Sequence, residues 1–219
     1  MSFMSLFLSP LFLILLLSYM KFKFNPDSWT NIIKAIVLGA ISVILLIIAD
    51  YIFGWYWHDN LRNMRRIAAY VFVGIAFSSE FAKFLVLRYA FVKKGLVKIP
   101  LEGIIYSFFT GLGFSSIAAI LYYTGLIGTE RFHNATLFLW AYPFATLTFS
   151  VITGFFLGMG ETRKNAFIDN AVGLFLAIFF HATFYFCFVT SDLRLFGLTT
   201  IGFILIGFSL LIKAVNIKE

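Results

Sequence analysis

Long apolar runs alternate with short polar segments along the whole chain. Each run is about 20 residues long, the length that crosses a bilayer as a helix. The runs are Phe3–Met20, Ile33–Phe53, Ile67–Val92, Ile104–Tyr123, Ala135–Gly158, Ile168–Thr190 and Leu195–Ala214. Their apolar residues are continuous rather than alternating, which excludes a transmembrane β-barrel. The pattern therefore predicts an all-α, polytopic transmembrane bundle of about seven spanning helices.

Composition favours the same class of protein. Hydrophobic residues make up 61% of the 219 residues and charged residues only 12%, against about 25% charged residues in an ordinary globular domain. A soluble fold of this size could not bury so much apolar surface and still have a polar exterior. The only cysteine, Cys187, excludes a disulfide within the chain. Because the polar separators are short, we expect one transmembrane domain over residues 1–219.

The net charge of +7 comes from basic residues that are spread along the chain, mostly between the apolar runs. No basic stripe exists that would indicate nucleic-acid binding, so we expect no nucleic-acid partner. Ten basic residues fall on one side of the predicted membrane: Lys21, Lys23, Lys34, Lys93, Lys94, Lys98, Arg163, Lys164, Lys213 and Lys218. Five fall on the other: Arg62, Arg65, Arg66, Arg131 and Arg194. The positive-inside rule then predicts an external N-terminus and a cytoplasmic C-terminus.

Three ionisable residues lie at membrane depth, where each costs free energy unless it is paired. Glu80 and Lys83 are three residues apart in the third run and therefore share one helix face. They could hold helices together as a neutral pair, or the carboxylate could ligate a metal or transfer protons. His181 in the sixth run is open to the same two interpretations. Small residues in the fourth and fifth runs recur at four-residue spacing, which predicts close helix packing: Ser107, Gly111, Ser115, Gly154 and Gly158.

A family resemblance rests on the third to sixth runs. Ser79-Glu80-Phe81-Ala82-Lys83 resembles the Glu-Glu-x-x-Lys motif of the PrsW-type intramembrane metalloproteases. That family belongs to the broader group of CAAX-processing and bacteriocin-related membrane proteases. Glu102-Gly103-Ile104-Ile105-Tyr106, followed by Gly111-Leu112-Gly113-Phe114, is similar to a second family motif, and His181 stands where the family has a late histidine. The resemblance implies a protease-like core at about 67–186, with flanking helices at 3–20, 33–53 and 195–214.

The sequence departs from the family at most positions of chemical importance. Ser79 replaces the first glutamate of the Glu-Glu motif, and Ala118-Ala119 replace a Glu-Asn pair. Thr146 stands in place of a histidine, and Tyr185 in place of an asparagine. At a rise of 1.5 Å per residue, Glu80, Ala118, Thr146 and His181 all lie within roughly 5 Å of one level near the bilayer middle. The resemblance therefore implies one site that retains only Glu80 and His181 as metal ligands.

Three functions are consistent with this pattern. The leading interpretation is a catalytically inactive relative that acts as a binding or structural subunit of a membrane complex, with Glu80, Lys83 and His181 as a buried polar cluster and no cofactor. The first alternative is an active zinc-dependent protease that cleaves a membrane-anchored substrate, with Glu80 as catalytic base or metal ligand and His181 as metal ligand. The second is a small transporter. We expect contact with membrane lipids and with a membrane protein or single-span segment. The resembled family favours a bacterial inner membrane.

Overall fold

The computed structural model describes residues 3–23, 29–57, 64–128 and 134–217. Within these residues there is no β-strand, and seven helices are long and apolar enough to cross a membrane. The predicted all-α bundle of seven spanning helices is therefore confirmed. Three of the basic residues used for the topology prediction, Arg62, Arg131 and Lys218, lie outside the described residues.

The helices follow one another with short connections. A 3-10 turn at Phe3–Phe7 leads into α1, and the third span is a composite of α3, a π-helical stretch and α4. The bounds are α1 Leu8–Lys23, α2 Trp29–Trp57, α3 Met64–Ala69, the π-helix Tyr70–Phe77, α4 Ser78–Ala90, α5 Pro100–Thr124, α6 Ala135–Arg163, α7 Ala166–Val189 and α8 Leu193–Asn216. A short 3-10 turn, Val92–Lys94, ends the third span.

Several helices extend past the apolar runs because polar residues cap their ends. The α5 helix begins at Pro100, four residues before the predicted run, and Glu102 accepts hydrogen bonds from the backbone N–H groups of Lys98 and Ile99. Proline and an acidic residue are both favourable in a first helical turn. At the other end of a span, α6 continues to Arg163 and stops at Lys164, whose φ of 55° ends the helix in the left-handed conformation.

The α5 and α6 helices approach each other most closely where both carry glycine. A Cβ atom on Gly154 would lie 2.5 Å from the carbonyl oxygen of Gly103 and 2.7 Å from the Cα of Ile104. One turn further along α6, a Cβ on Gly158 would meet the backbone of Ile99 and Pro100 at about the same distance. The Ser150 side chain occupies the space that a Cβ atom on Gly111 would fill. Small residues thus allow backbone contact, which drives helix association in lipid.

The other two small residues of the predicted stripe are also buried in the bundle. Ser107 is 3% exposed, and the Ser115 hydroxyl donates a 3.0 Å hydrogen bond to the hydroxyl of Ser9, which connects α5 to α1. The α8 helix lies at the edge of the bundle, where Phe203, Gly207 and Ala214 are its only buried residues. Most of α8 therefore faces the surroundings of the bundle, which for this chain is lipid.

The π-helix of the third span lies immediately before the Glu80 motif. Runs of π-helix are rare. The Ser78 hydroxyl donates to the carbonyl oxygens of Gly74 at 2.5 Å and Ile75 at 3.1 Å. Tyr70 and Ile75 of this stretch are buried in the core. The wider helical turn therefore leads directly into the residues that form the candidate site.

Candidate functional site

Glu80, Lys83 and His181 meet in the middle of the bundle. The ammonium nitrogen of Lys83 and the Nδ1 nitrogen of His181 each lie 2.7 Å from the same carboxylate oxygen of Glu80, Oε1. Glu80 and His181 are 1% exposed and Lys83 is 4% exposed. Charge-assisted hydrogen bonds of this length are strong, and the low dielectric strengthens them further. The sequence places Glu80 and Lys83 on one face of α4, and α7 brings His181 to the same carboxylate.

Aromatic rings surround the cluster. The ring of Phe149 stacks on the His181 imidazole with centroids 4.9 Å apart and an interplanar angle of 17°. Tyr142 lies with its ring centroid 6.2 Å from that of His181, and the Lys83 ammonium lies 5.2 Å from the centroid of Phe114. An ammonium over an aromatic face gains cation–π attraction. The charges are therefore compensated by groups within the chain.

The positions at which the family motifs are replaced are buried in the same region. Thr146 lies on the face of α6 that carries Tyr142 and Phe149, since the spacing is four and three residues. The Nε2 nitrogen of His181 and the Ser79 hydroxyl are both buried without a hydrogen-bond partner in the described structure. Ala118 and Ala119 are at most 1% exposed in the core. Ala118 and Ala119 thus offer only methyl groups, and Ser79 and Thr146 offer neutral hydroxyls.

These residues do not fit a catalytic zinc. Such a site usually has three protein ligands and an open position for water. Glu80 Oε1 is already bonded to the cation of Lys83 and to His181 Nδ1, an arrangement in which the carboxylate orients the imidazole rather than binding a metal beside it. Among the residues of this cluster, only His181 Nε2 is then left as a possible ligand. In the part of the chain that the structure describes, no group of three His, Cys, Asp or Glu residues could hold a metal ion.

A second polar cluster, which the sequence analysis missed, lies between the site and the end of the bundle at which α5 ends. It consists of four tyrosines that are at most 1% exposed, together with an aspartate: Tyr70, Tyr122, Tyr142, Tyr185 and Asp50. The Tyr70 hydroxyl donates a hydrogen bond to the Asp50 carboxylate. Ring centroids of Tyr185 lie 6.4 Å from Tyr70 and 6.1 Å from Tyr122.

This tyrosine cluster explains the residue found at Tyr185. Its ring packs at 5.7 Å from Phe138, and its hydroxyl approaches Gly128, where a Cβ atom would collide with it. Gly128 has a φ of 49°, a conformation that glycine adopts most easily. The only signal in the sequence was the presence of several tyrosines inside apolar runs, where a buried hydroxyl needs a partner. Tyr185 was noted as a replacement, but its partners come from other helices.

The fold and the buried carboxylate–imidazole pair define a polytopic membrane protein with a buried polar site inside the helix bundle. A family model described as PrsW family intramembrane metalloprotease matches residues 27–212. The protein named Protease PrsW from Oceanobacillus iheyensis is 28% identical over 180 residues, which are 82% of this chain and 79% of that protein. No solved structure matches the chain. Because the family match covers most of its length, the chain belongs to the PrsW family, as the motifs indicated.

Proposed function

We propose that this chain is a member of the PrsW family without metallopeptidase activity, and that it acts as a binding or structural subunit of a membrane complex. The observation that carries the proposal is the shared oxygen: Lys83 and His181 both bond to Glu80 Oε1 at 2.7 Å. A carboxylate that is neutralised by a lysine and used to hold an imidazole is a poor ligand for a divalent cation. The alanine and threonine at the other family positions supply no charged or imidazole ligand.

The proposed setting is the cytoplasmic membrane of a bacterium, with the N-terminus outside and the C-terminus in the cytoplasm. The excess of lysine and arginine at the ends that would face the cytoplasm supports this orientation. The proposed partners are membrane lipids and a membrane protein or a single-span segment. Every connection between the described spans is short, so we expect partners to contact the membrane-embedded surface of the bundle.

Family membership favours one alternative, an active zinc protease, and a metal and activity assay separates the two. The protein from Oceanobacillus iheyensis, purified in the same detergent, serves as the parallel control. We expect this chain to carry less than about 0.1 zinc per protein after dialysis, because one remaining ligand gives weak affinity. We also expect no cleavage of membrane-anchored peptides in proteoliposomes, with or without a chelator.

One result would overturn the proposal: stoichiometric zinc that is lost in the Glu80→Gln and His181→Ala variants, together with cleavage that a chelator abolishes. Because Ser79→Ala removes a neighbouring hydroxyl but no candidate ligand, it is the matched control and should change neither measurement. Purification in mild detergent followed by mass spectrometry tests the subunit role. Recovery of the chain alone, as a monomer, from its native membrane would contradict that role.

A further inference from the structure

An apolar groove opens on the side of the bundle between α6, α7 and α8. Its volume is about 240 Å³. The walls include Phe144 and Thr148 of α6, Phe184 of α7, and Thr200, Phe203 and Ile204 of α8. These positions lie in the half of the bundle where α6 and α8 begin and α7 ends. The groove is separate from the Glu80 cluster, because Phe149 and Phe203 pack against each other between the two, with ring centroids 5.7 Å apart.

The groove offers no hydrogen bonds to an occupant. The Thr148 hydroxyl donates to the carbonyl oxygen of Phe144 at 3.3 Å, and the Thr200 hydroxyl donates to the carbonyl oxygen of Phe196 at 2.8 Å. Both hydroxyls are thus satisfied within their own helices and are not available as donors to an occupant. A water molecule needs two to four polar partners in a buried site. The chemistry of the walls therefore selects a hydrocarbon occupant.

Size decides which hydrocarbon fits. One turn of an α-helix with its side chains occupies roughly 400–600 Å³, from its diameter and pitch. This is more than the groove provides, so a whole helical turn does not fit inside it. An apolar cavity of about 150 Å³ holds a six-carbon ring. The groove therefore has room for a single flexible chain of roughly eight to ten carbons, by the same proportion.

The groove is also continuous with the lipid-facing surface. Phe144 at one rim is 53% exposed and Ile204 at the other is 63% exposed, whereas Phe203 between them is 5% exposed. A hydrocarbon chain in the surrounding bilayer thus reaches the groove without crossing polar residues or moving a helix. Inside it, the chain would contact aromatic rings on several sides, which a flat helix surface does not offer.

We propose that this groove binds one acyl chain of a membrane phospholipid, which stays with the protein when the bulk lipid is removed. The chain fills the space between α8 and the bundle, and α8 otherwise buries only three residues. Dispersion contacts with the rings hold the chain, since lipid tails supply no hydrophobic driving force of their own. The bound lipid would then help to attach α8 to α6 and α7.

A photocrosslinking experiment tests this proposal. The full chain is reconstituted in vesicles of phosphatidylglycerol that carries a diazirine on one acyl chain. It is then extracted in detergent, washed free of bulk lipid and illuminated. We expect about one lipid per protein, which is the occupancy of a single site. Peptide mapping should place the adducts on residues 141–148 of α6 and 200–204 of α8.

Two variants of α8 provide the comparison. Thr200→Phe places a ring in the groove and should lower the amount of retained lipid roughly tenfold, because the added volume displaces the chain. Leu198→Phe adds a ring at a position that is 70% exposed and outside the groove wall, and should retain lipid as the parent does. Both variants should show a single cooperative thermal unfolding transition in vesicles, as the parent protein does, which shows that they are folded.

Three results would overturn the proposal. The first is retention of the same amount of lipid by Thr200→Phe as by the parent protein. The second is an even spread of adducts over other exposed faces, such as Ile44 and Ile48 of α2. The third is a protein that elutes as a dimer with no lipid in the groove and with contacts between α8 helices of two copies, which would make a second copy the occupant.

Discussion

The pairing of Lys83 with Glu80 predicts that removal of one partner destabilises the protein far more than removal of both charges. Lys83→Met keeps the length of the side chain and removes its charge. Glu80 then remains as a carboxylate that is 1% exposed, with only His181 Nδ1 as its partner. An ion left without its counter-ion in the interior cannot recover the hydration that it lost on folding.

The expected magnitude follows from this burial. Breaking a buried ion pair from one side costs about 3–5 kcal/mol, and both members of this pair are at most 4% exposed. We therefore expect Lys83→Met to lower the free energy of unfolding by about 3–5 kcal/mol. The double variant Glu80→Gln/Lys83→Met removes both charges and keeps an amide oxygen that accepts from His181. It should lose no more than about 1–2 kcal/mol, because apolar replacements of buried pairs are often neutral.

The measurement is reversible unfolding in mixed micelles with an increasing fraction of denaturing detergent, followed by tyrosine and tryptophan fluorescence. A complete double-mutant cycle with Glu80→Gln alone gives the coupling free energy between the two positions. Lys93→Met is the control, because its ammonium lies over the Tyr89 ring at 4.1 Å and is not paired with a carboxylate in the described structure. It should change stability by less than about 1 kcal/mol.

Two outcomes would refute this reasoning. If Lys83→Met costs less than about 1 kcal/mol, the pair is solvated rather than buried. If the two single variants add up to the double variant, Glu80 and Lys83 do not interact across the 2.7 Å contact. In either case the carboxylate would be available to another partner, and the argument against a metal at Glu80 would lose its main support.

Three further predictions concern packing and capping, and thermal unfolding in detergent measures each. Gly154→Ala should cost about 1–3 kcal/mol, because the added Cβ meets backbone atoms of α5, whereas Gly197→Ala, with nothing within 4 Å, should be neutral or slightly stabilising; equal effects would contradict the close approach. Tyr70→Phe should cost about 1–3 kcal/mol by removing a donor from Asp50, and an unchanged midpoint would show that this bond contributes nothing. Asp192→Ala should cost about 0.5–2 kcal/mol, since Asp192 caps α8 through two backbone N–H groups; Asp192→Asn should retain most of the stability, and an equal loss would argue against capping.

The architecture of this protein was predictable because lipid imposes a strict rule. Each span must satisfy its backbone hydrogen bonds internally, so apolar length alone gives the number of helices. The ends of the helices were less predictable, since capping by Glu102 and the turn at Lys164 depend on local polar contacts. The π-helix at Tyr70–Phe77 had no signal in the apolar pattern. Its residues are all apolar or aromatic, as in any long stretch of a spanning helix.

The site was predictable only in part. Charge scarcity at membrane depth singled out Glu80, Lys83 and His181, because each needs a partner wherever it lies. The shared oxygen of Glu80 could not be predicted, since helix spacing places Lys83 near it but says nothing about His181 on another helix. Phe149 gave no signal of its own, and the tyrosine cluster gave only the presence of several tyrosines inside apolar runs. An aromatic residue in an apolar run packs against some neighbour in every bundle. Only the arrangement of the helices determines which neighbour that is.

The aromatic rings strengthen the case against hydrolysis independently of the missing ligands. Hydrolysis of a peptide bond in this site would need room for the peptide and for a water molecule beside His181 Nε2. The ring of Phe149 covers one face of the imidazole at 4.9 Å, and Tyr142 lies next to it on the same helix. Tyr185, at the position where the family resemblance implies a smaller asparagine, packs one turn further along α7 against Phe138 and Tyr122. The small ligand set and the surrounding rings therefore support the same proposal, that this chain does not hydrolyse peptides, because each bears on a different requirement of the reaction.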